Sequence, residues 1–296
     1  MGICINEAKL ILGIKKYNHE LGKVATLGRQ YLFLKDNEIR TTLSSAGISS
    51  DVTESFLKTD HKYCERYLEL LGATDVHSLD ASSYENATII HDMNFPIRED
   101  LKFQYDTFIE SGTFEHIFNF PVAVKNCMQL VKPNGYYVSV NPANNFFGHG
   151  FYQFSPEIYF RIFSEENGFQ IKKVILYWDN GKGDFYELKD PKSIANRITL
   201  VNTKPLFLSV IAQRISDAEP FSKKFPNQSD YSDLVWKNES LVNNQAFPVK
   251  GVLSSVKKMI PKSIKERILK MRSNAKIILS QTGSLDPFHY KKIDKD

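Results

Sequence analysis

The chain has 296 residues, 42% of them hydrophobic and 24% charged, which suits a soluble globular protein built as one large α/β domain plus an extension. Its net charge of +4 is divided unevenly. Residues 250–296 hold twelve Lys/Arg against four Asp/Glu, while residues 1–249 hold 26 basic and 30 acidic side chains. The mildly acidic body excludes a nucleic-acid-binding reading of the whole chain, and no apolar run approaches the ~20 residues that cross a bilayer. The three cysteines, Cys4, Cys64 and Cys127, show neither CxxC nor metal-ligand spacing, so reduced thiols in a cytoplasmic protein are expected and no metal.

Residues 5–20 have helical spacing and predict a lead-in helix, giving an N-terminal segment 1–22. The run Lys23–Leu27 is a first strand that stops at Gly28. Helices follow over about 36–46 and over Asp60–Leu71, the second ending at Gly72. Val76–Leu79 closes on Asp80, and Ala87–Ile90 closes on His91-Asp92. Tyr105–Ile109 and Tyr136–Val140 are strands flanking a helix, Pro121–Val131, that stops at Lys132-Pro133-Asn134-Gly135. Pro156–Glu166 is a helix entered from Ser155 as N-cap. Phe169–Trp178 and Leu206–Ala212 are closing strands without an obvious helix between them, so the last is expected to run antiparallel. Alternation of strands and helices predicts a Rossmann-like, doubly wound α/β sheet of seven strands with helices on both faces. No internal repeat is present.

Ligands of open α/β sheets bind outside the carboxyl ends of the strands, which directs attention to the residues found there. Gly28 follows the first strand, where backbone and ligand approach closely; a GxGxxG fingerprint is absent, which disfavours NAD or FAD. Asp80 ends the second strand, where a carboxylate can accept bonds from both ribose hydroxyls of an adenosine cofactor. Asp92 and Met93 follow the third, suited to an adenine amino group and ring. Each aspartate alone would be an ordinary strand-end residue. Glu110-Ser111-Gly112 closes the fourth strand and Asn141–Asn145, with Asn144, the fifth. His116 beside Glu115 is the first choice as a general base, since imidazole titrates near neutrality; the pair serves equally as the cap of a turn. His149, between Gly148 and Gly150, lies with Tyr152 and Gln153 in a loop suited to binding a sugar or phosphate group. The aromatic run Phe146, Phe147, Phe151, Tyr152 and Phe154 fits either stacking on a sugar ring or packing a lid on the sheet.

Residues 24–214 resemble class I S-adenosylmethionine-dependent methyltransferases, of the bacterial branch found among surface-polysaccharide biosynthesis genes. The segments that carry the resemblance are VATLGRQ (24–30), LGATDVHSLDASSYENATIIHDMN (71–94), SGTFEHIFN (111–119) and NPANNFFGHGFYQFSPE (141–157). The resemblance implies a catalytic domain over 23–216, with Gly28 under the methionine part of S-adenosylmethionine and Arg29 pairing with its carboxylate. It places Asp80 on the ribose, Asp92 and Met93 on the adenine, and Glu110, Ser111 and Gly112 at the sulfonium. Arg29 and Gln30 stand where most methyltransferases have small residues. The acceptor it implies is a small polar molecule, a glycan precursor; a catalytically degenerate binding protein in a glycan assembly complex is the alternative.

Beyond a polar linker over 217–249, the tail 250–296 carries an apolar stripe, Leu253, Val256, Ile260, Ile264, Ile268 and Met271, among Lys and Arg. This basic amphipathic segment, 252–279, suits either peripheral contact with anionic lipid at the inner face of a membrane or docking on the protein's own body or a second subunit, as in a homo-oligomer.

Overall fold

A computed structural model describes residues 2–17, 20–178, 184–195, 197, 198, 200, 202–231 and 290–292. The chain divides into two compact units, one of Met1–Leu188, Lys204–Gln228 and Lys291–Asp296, the other of Lys189–Thr203 and Ser229–Tyr290. The amphipathic segment 252–279 lies outside the described residues, as does 232–249 of the expected linker. Among the described residues no helix is long and apolar enough to cross a membrane.

The elements run β1 (Gly2–Ile3), α1 (Ile5–Ile14), β2 (Gly22–Leu27), β3 (Tyr31–Leu32), α2 (Asp36–Ser45), α3 (Ser50–Leu57), α4 (Glu65–Leu70), β4 (Ala73–Asp80), β5 (Ile89–Ile90) and β6 (Tyr105–Ser111). There follow α5 (Phe120–Leu130), β7 (Val131–Asn144), α6 (Pro156–Ile162), β8 (Phe169–Trp178), β9 (Phe185–Leu188), α7 (Pro191–Ile194), β10 (Leu206–Arg214) and β11 (Tyr290–Lys292). The main sheet has the order β11-β9-β8-β10-β7-β6-β2-β4-β5, and β1 pairs separately with β3. At its centre β2 runs parallel to β4 and β6, and β6 parallel to β7. As expected, the closing strand β10 is antiparallel, inserted between β7 and β8. This is a Rossmann-like mixed sheet with helices on both faces. Among the described residues this sheet has nine strands where seven were expected, because Phe185–Leu188 pairs antiparallel with β8 and β11 extends the same edge.

Period-two alternation in β7 divides the core. Tyr136 and Val138 join a cluster with Ile11 and Ile14 of α1, Leu43 of α2 and Leu68 of α4. On the opposite face Tyr137 packs against Phe108, Phe163 and Phe169, with ring centroids 5.0, 4.7 and 6.4 Å apart. Ser139 and Asn141 share this second face, so the same alternation that buries Tyr137 carries polar side chains toward the strand's carboxyl end.

The expected linker does not begin at 217. Arg214, fully buried at the end of β10, donates from Nε to the Ser216 carbonyl (2.8 Å), from Nη1 to Met128 (2.5 Å) and from Nη2 to Ala218 (2.9 Å). Its guanidinium lies 4.4 Å from the Phe103 ring centroid. Glu219 then accepts from Gln129 and pairs with Lys125 at 2.8 Å, and the Phe221 amide donates to Asn167. Burial lowers the Arg214 pKa to about 10 against the raising effect of the Glu219 and Asp217 carboxylates, so the guanidinium stays charged at neutral pH. Replacing Arg214 with Ala removes three donors at once and leaves carbonyls orphaned. We expect a loss of about 3 kcal/mol in urea unfolding, with 214–221 becoming protease-sensitive; stability within experimental error of the parent would show that this strap contributes nothing.

Candidate functional site

The carboxyl end of β6 is organised by a buried carboxylate. Glu110 has no exposed surface, and its Oε1 accepts from the amides of Thr113 (2.7 Å) and Phe114 (3.2 Å). These two bonds cap a 3-10 turn, Phe114–His116, directly after the strand. Asn141 Nδ2, at the end of β7, donates to both Glu110 oxygens at 3.0 Å. Ser139 donates to Glu110 as well, and Tyr159 of α6 donates to Asn141 Oδ1. Burial, and then the nearby Glu115, push the Glu110 pKa up to about 8. Glu110 therefore does not line the sulfonium end, as the resemblance implied; it holds the turn that follows. Burial also raises the Tyr159 and Cys127 pKa values, with Glu110 adding to both.

The capped turn carries Glu115 and His116. Glu115 is also buried, 1% exposed, with Asn141 Nδ2 at 3.5 Å from its Oε2. Its Oε1 lies 3.9 Å from His116 Nε2 and 3.4 Å from His149 Nε2. The two imidazoles are half exposed and meet edge to face at 4.9 Å. His149 arrives on the 145–154 loop, whose Phe151 amide donates to the Glu115 carbonyl at 2.6 Å and whose Phe154 amide donates to Pro142 at 2.8 Å. Gly150 makes that approach feasible. Its φ is +71°, and a Cβ there would lie 2.5 Å from the Glu115 carbonyl oxygen.

The other expected loop residues hold the loop. Tyr152 donates from its hydroxyl to the Phe118 carbonyl (2.6 Å), and Gln153 Oε1 accepts from the Phe146 amide (2.9 Å). Asn144 Oδ1 accepts from the Asn145 amide. The aromatic run divides between its two readings: Phe154 is buried against Phe120 and Phe146 packs at a tilt on Phe207, whereas Phe147 is 98% exposed and Phe151 66%.

A cavity of about 330 Å³ opens beside this cluster. Ser111, Gly112 and Val140 form its floor at the strand ends, and Glu115 and His149 line one side. Cys4, Asn6 and Glu7 of the N-terminal segment line another, with Phe33, Lys35 and Glu38. The Ser111 hydroxyl donates to the Gly2 carbonyl (3.0 Å), and Phe33 donates to Ile3 (2.9 Å), which fastens β1 and the start of α1 over the sheet. Asn6 is 4% exposed, and its Oδ1 has no hydrogen-bond partner among the described residues. A buried acceptor left in this state beside a cavity is suited to a donor on a bound molecule. No local signal marks Asn6 or Glu7, which sit in an ordinary amphipathic helix.

On the other side of the sheet centre, Gly28 takes φ +73° and donates to the Leu79 carbonyl (2.7 Å), continuing the β2–β4 ladder. Asp80 ends β4; its Oδ1 accepts from the Ser82 amide at 3.0 Å, and its Oδ2 has no hydrogen-bond partner among the described residues. Asp80 is partly exposed at the strand's carboxyl end, where open sheets bind ligands. Asp92 Oδ1 accepts from the amide and side chain of Asn94, whose own Oδ1 accepts from the Asn119 amide, so the segments after β5 and after the 3-10 turn are joined. Met93 is 3% exposed and packs in the core; Phe95, 64% exposed, is the nearby apolar side chain with a free face. Arg29 is occupied: its Nε donates to Glu65 (2.6 Å), its Nη1 to the Glu85 carbonyl (2.9 Å), and its guanidinium stacks 4.0 Å from the Tyr63 ring.

No protein-family model matches this chain, and no curated protein matches it. Among solved structures it is similar to an S-adenosylmethionine-dependent methyltransferase from Mesorhizobium loti, at 12% identity over 71% of this chain and 100% of that one, with a TM-score of 0.38. It is similar to the N-methyltransferase NodS from Bradyrhizobium japonicum in complex with S-adenosyl-l-homocysteine, at 10% identity, 71% and 88% coverage and a TM-score of 0.38. A third is the branched-chain polyamine synthase from Thermus thermophilus, at 13% identity, 73% and 58% coverage and a TM-score of 0.35.

The raised Glu110 pKa has a sign that can be checked. A carboxyl whose folded pKa lies above its unfolded value binds more protons in the native state, so stability falls as pH rises from about 4.5 through about 8. In Glu110→Gln that loss is absent. The melting temperature of the variant relative to the parent should therefore climb between about pH 5 and about pH 8, and parallel curves would mean that Glu110 ionises normally.

Proposed function

We propose that this protein transfers a methyl group from S-adenosylmethionine to a small polar acceptor. The observation that supports this best is the layout of the sheet's carboxyl edge. Asp80 and Asp92 follow the adjacent parallel strands β4 and β5, while the cavity with Glu115, His149 and the unpartnered Asn6 lies at the ends of β6 and β7. An adenosine side and an acceptor side thus share one edge, where open α/β sheets bind ligands. When bound, S-adenosylmethionine supplies a methyl group on a cationic sulfur. In this chain Asp80 would hold the ribose, Asp92 and Phe95 would face the adenine, and Ser111 and Gly112 would flank the methyl. The remaining work is alignment and exclusion of water. His116 takes the acceptor's proton at Nε2, and the Glu115 carboxylate stabilises the imidazolium that results. His149 orients the acceptor from the opposite side of Glu115. The acceptor class is a sugar hydroxyl, or an amine- or phosphate-bearing precursor, in surface-glycan biosynthesis in the cytoplasm, with the tail 252–279 bringing the enzyme to the membrane face.

A second reading, a methyltransferase fold that binds without catalysing, is favoured by one observation. Arg29 is tied to Glu65 and Glu85 at the mouth of β2, where a glycine-rich loop would leave room for the cofactor.

Calorimetry with S-adenosylhomocysteine separates the two. We expect binding, and Asp80→Ala should weaken it by about 1–3 kcal/mol through lost ribose hydrogen bonds. Absence of binding at millimolar ligand would overturn the enzyme reading. His116→Ala should lower turnover more than cofactor affinity; equal losses in both would make His116 a packing residue of the turn.

A further inference from the structure

We propose that Glu115, His116 and His149 form a binding site for one divalent transition-metal ion. One oxygen of Glu115 and one nitrogen of each imidazole lie within 4.8 Å of one another. Donors bound to a common zinc-like ion at about 2.0–2.2 Å stand roughly 3–3.6 Å apart. The separations of Glu115 Oε1 from His149 Nε2, 3.4 Å, and from His116 Nε2, 3.9 Å, are close to that spacing. Both imidazoles are half exposed, so small rotations close the remaining gap.

An exposed ion pair between Glu and His would be unremarkable, but this carboxylate is not exposed. Glu115 is 1% accessible, and its Oε1 faces the two imidazoles while its Oε2 faces Asn141. A buried anion requires a cation or several donors, and a bound metal ion satisfies that need without either histidine being protonated. The backbone is also shaped around this carboxylate. Gly150 and Gly112 both have φ near +70°; a Cβ on the first would strike the Glu115 backbone at 2.5 Å, and a Cβ on the second would press Glu115 Oε1 at 3.3 Å. The Phe151 amide fixes the approaching loop to the Glu115 carbonyl. Two adjacent segments, 33 residues apart in the chain, are thereby held with their donors converging.

The donor set selects the class of ion. Two imidazoles and one carboxylate suit zinc, or ferrous iron with open positions, whereas magnesium and calcium prefer all-oxygen shells. Three protein donors leave at least one coordination position for an external oxygen or nitrogen. Glu115 and His149 line the cavity, so that position is next to it. If the methyl-transfer reading holds, the ion-loaded form would bind the acceptor's oxygen or nitrogen and acidify it, and His116 would serve as the base in the metal-free form alone; this consequence rests on that reading, whereas the binding does not.

The test uses full-length protein stripped with a chelator, titrated calorimetrically with zinc chloride and, in parallel, with cobalt(II) followed by visible absorption. We expect uptake of one ion per chain that His149→Ala weakens at least about tenfold, with loss of the cobalt bands. His149 is exposed, so this variant should melt as the parent does; Glu115→Gln provides a second removal of a ligand. Zinc affinity and cobalt spectra that are indifferent to His149→Ala, or no uptake at high-micromolar zinc, would overturn the site. S-adenosylhomocysteine affinity measured on the same samples keeps the two ideas apart. Cofactor binding without zinc uptake sinks only the metal site, and zinc uptake without cofactor binding sinks only methyl transfer.

Discussion

The buried Glu110 carboxylate is the constraint on which the site depends. It links three elements that are distant in sequence: the end of β6, the 3-10 turn that follows, and Asn141 on β7, which in turn receives Tyr159 from α6. A carboxylate placed there is costly, and its raised pKa expresses that cost. The compensation is directional. Glu110 accepts from backbone amides at the start of the turn, and this orients the next carboxylate, Glu115, toward the loop bearing His149. Two acids five residues apart thus divide the labour: one shapes the turn and the other carries a charge to the edge of the cavity.

The cavity itself follows from the N-terminus. Neither β1 nor β3 belongs to the main sheet, yet their pairing brings Gly2 against Ser111 and sets α1 across the ends of β6 and β7. Glu7 is held there by the Cys4 amide and the Tyr177 hydroxyl, and the Asn6 side-chain oxygen has no hydrogen-bond partner among the described residues. Alternation along β7 does the rest. Val140 faces α1 and the cavity, while Ser139 and Asn141 turn to the Glu110 side.

Much of this arrangement was legible in the sequence because it rests on local rules. The strands that are apolar and β-branched, such as Lys23–Leu27 and Phe169–Trp178, and the helix beginning at Pro121, carry their periodicity openly. So does the antiparallel β10, because the sequence before it shows no helix long enough for a crossover, and α7 there is four residues long. The elements that were not legible are short or stabilised from elsewhere. Phe185–Leu188 is only four residues, too few to show alternation, and becomes a strand because β8 offers an edge. Ser50–Leu57 is a helix whose Ser49 cap was hidden in a serine-rich stretch. Lys132–Gly135 reads as a helix stop, and α5 ends just before it, but these residues already belong to β7, bulging between the Tyr105–Val131 and Thr107–Tyr136 pairs with β6, with Asn134 in the left-handed region at φ 69°. At the site, residue types were legible and directions were not. Nothing local distinguishes Glu110, turned wholly inward, from Glu115, turned toward two histidines, because the difference is made by Asn141, some thirty residues away.

The two sides of the sheet's carboxyl edge differ in how firmly they are set, and that difference bears on what each can recognise. On the β2–β4 side the chain binds itself: Gly28 to Leu79, Arg29 to Glu65 and Glu85, Asp92 to Asn94 and Asn94 to Asn119. Such a side suits an invariant ligand that meets the same few free groups each time. On the β6–β7 side the loop is fastened at Phe146, Phe151, Tyr152 and Phe154 but presents exposed side chains among those anchors, Phe147, His149 and Phe151 itself. Rigid anchors with exposed tips allow the tips to vary without disturbing the fold. In the proposed reaction, discrimination among acceptors would therefore belong to the 145–154 loop and to Asn6 and Glu7, which line the same cavity, while Glu115, common to the turn and the cavity wall, would fix where on an acceptor the chemistry takes place.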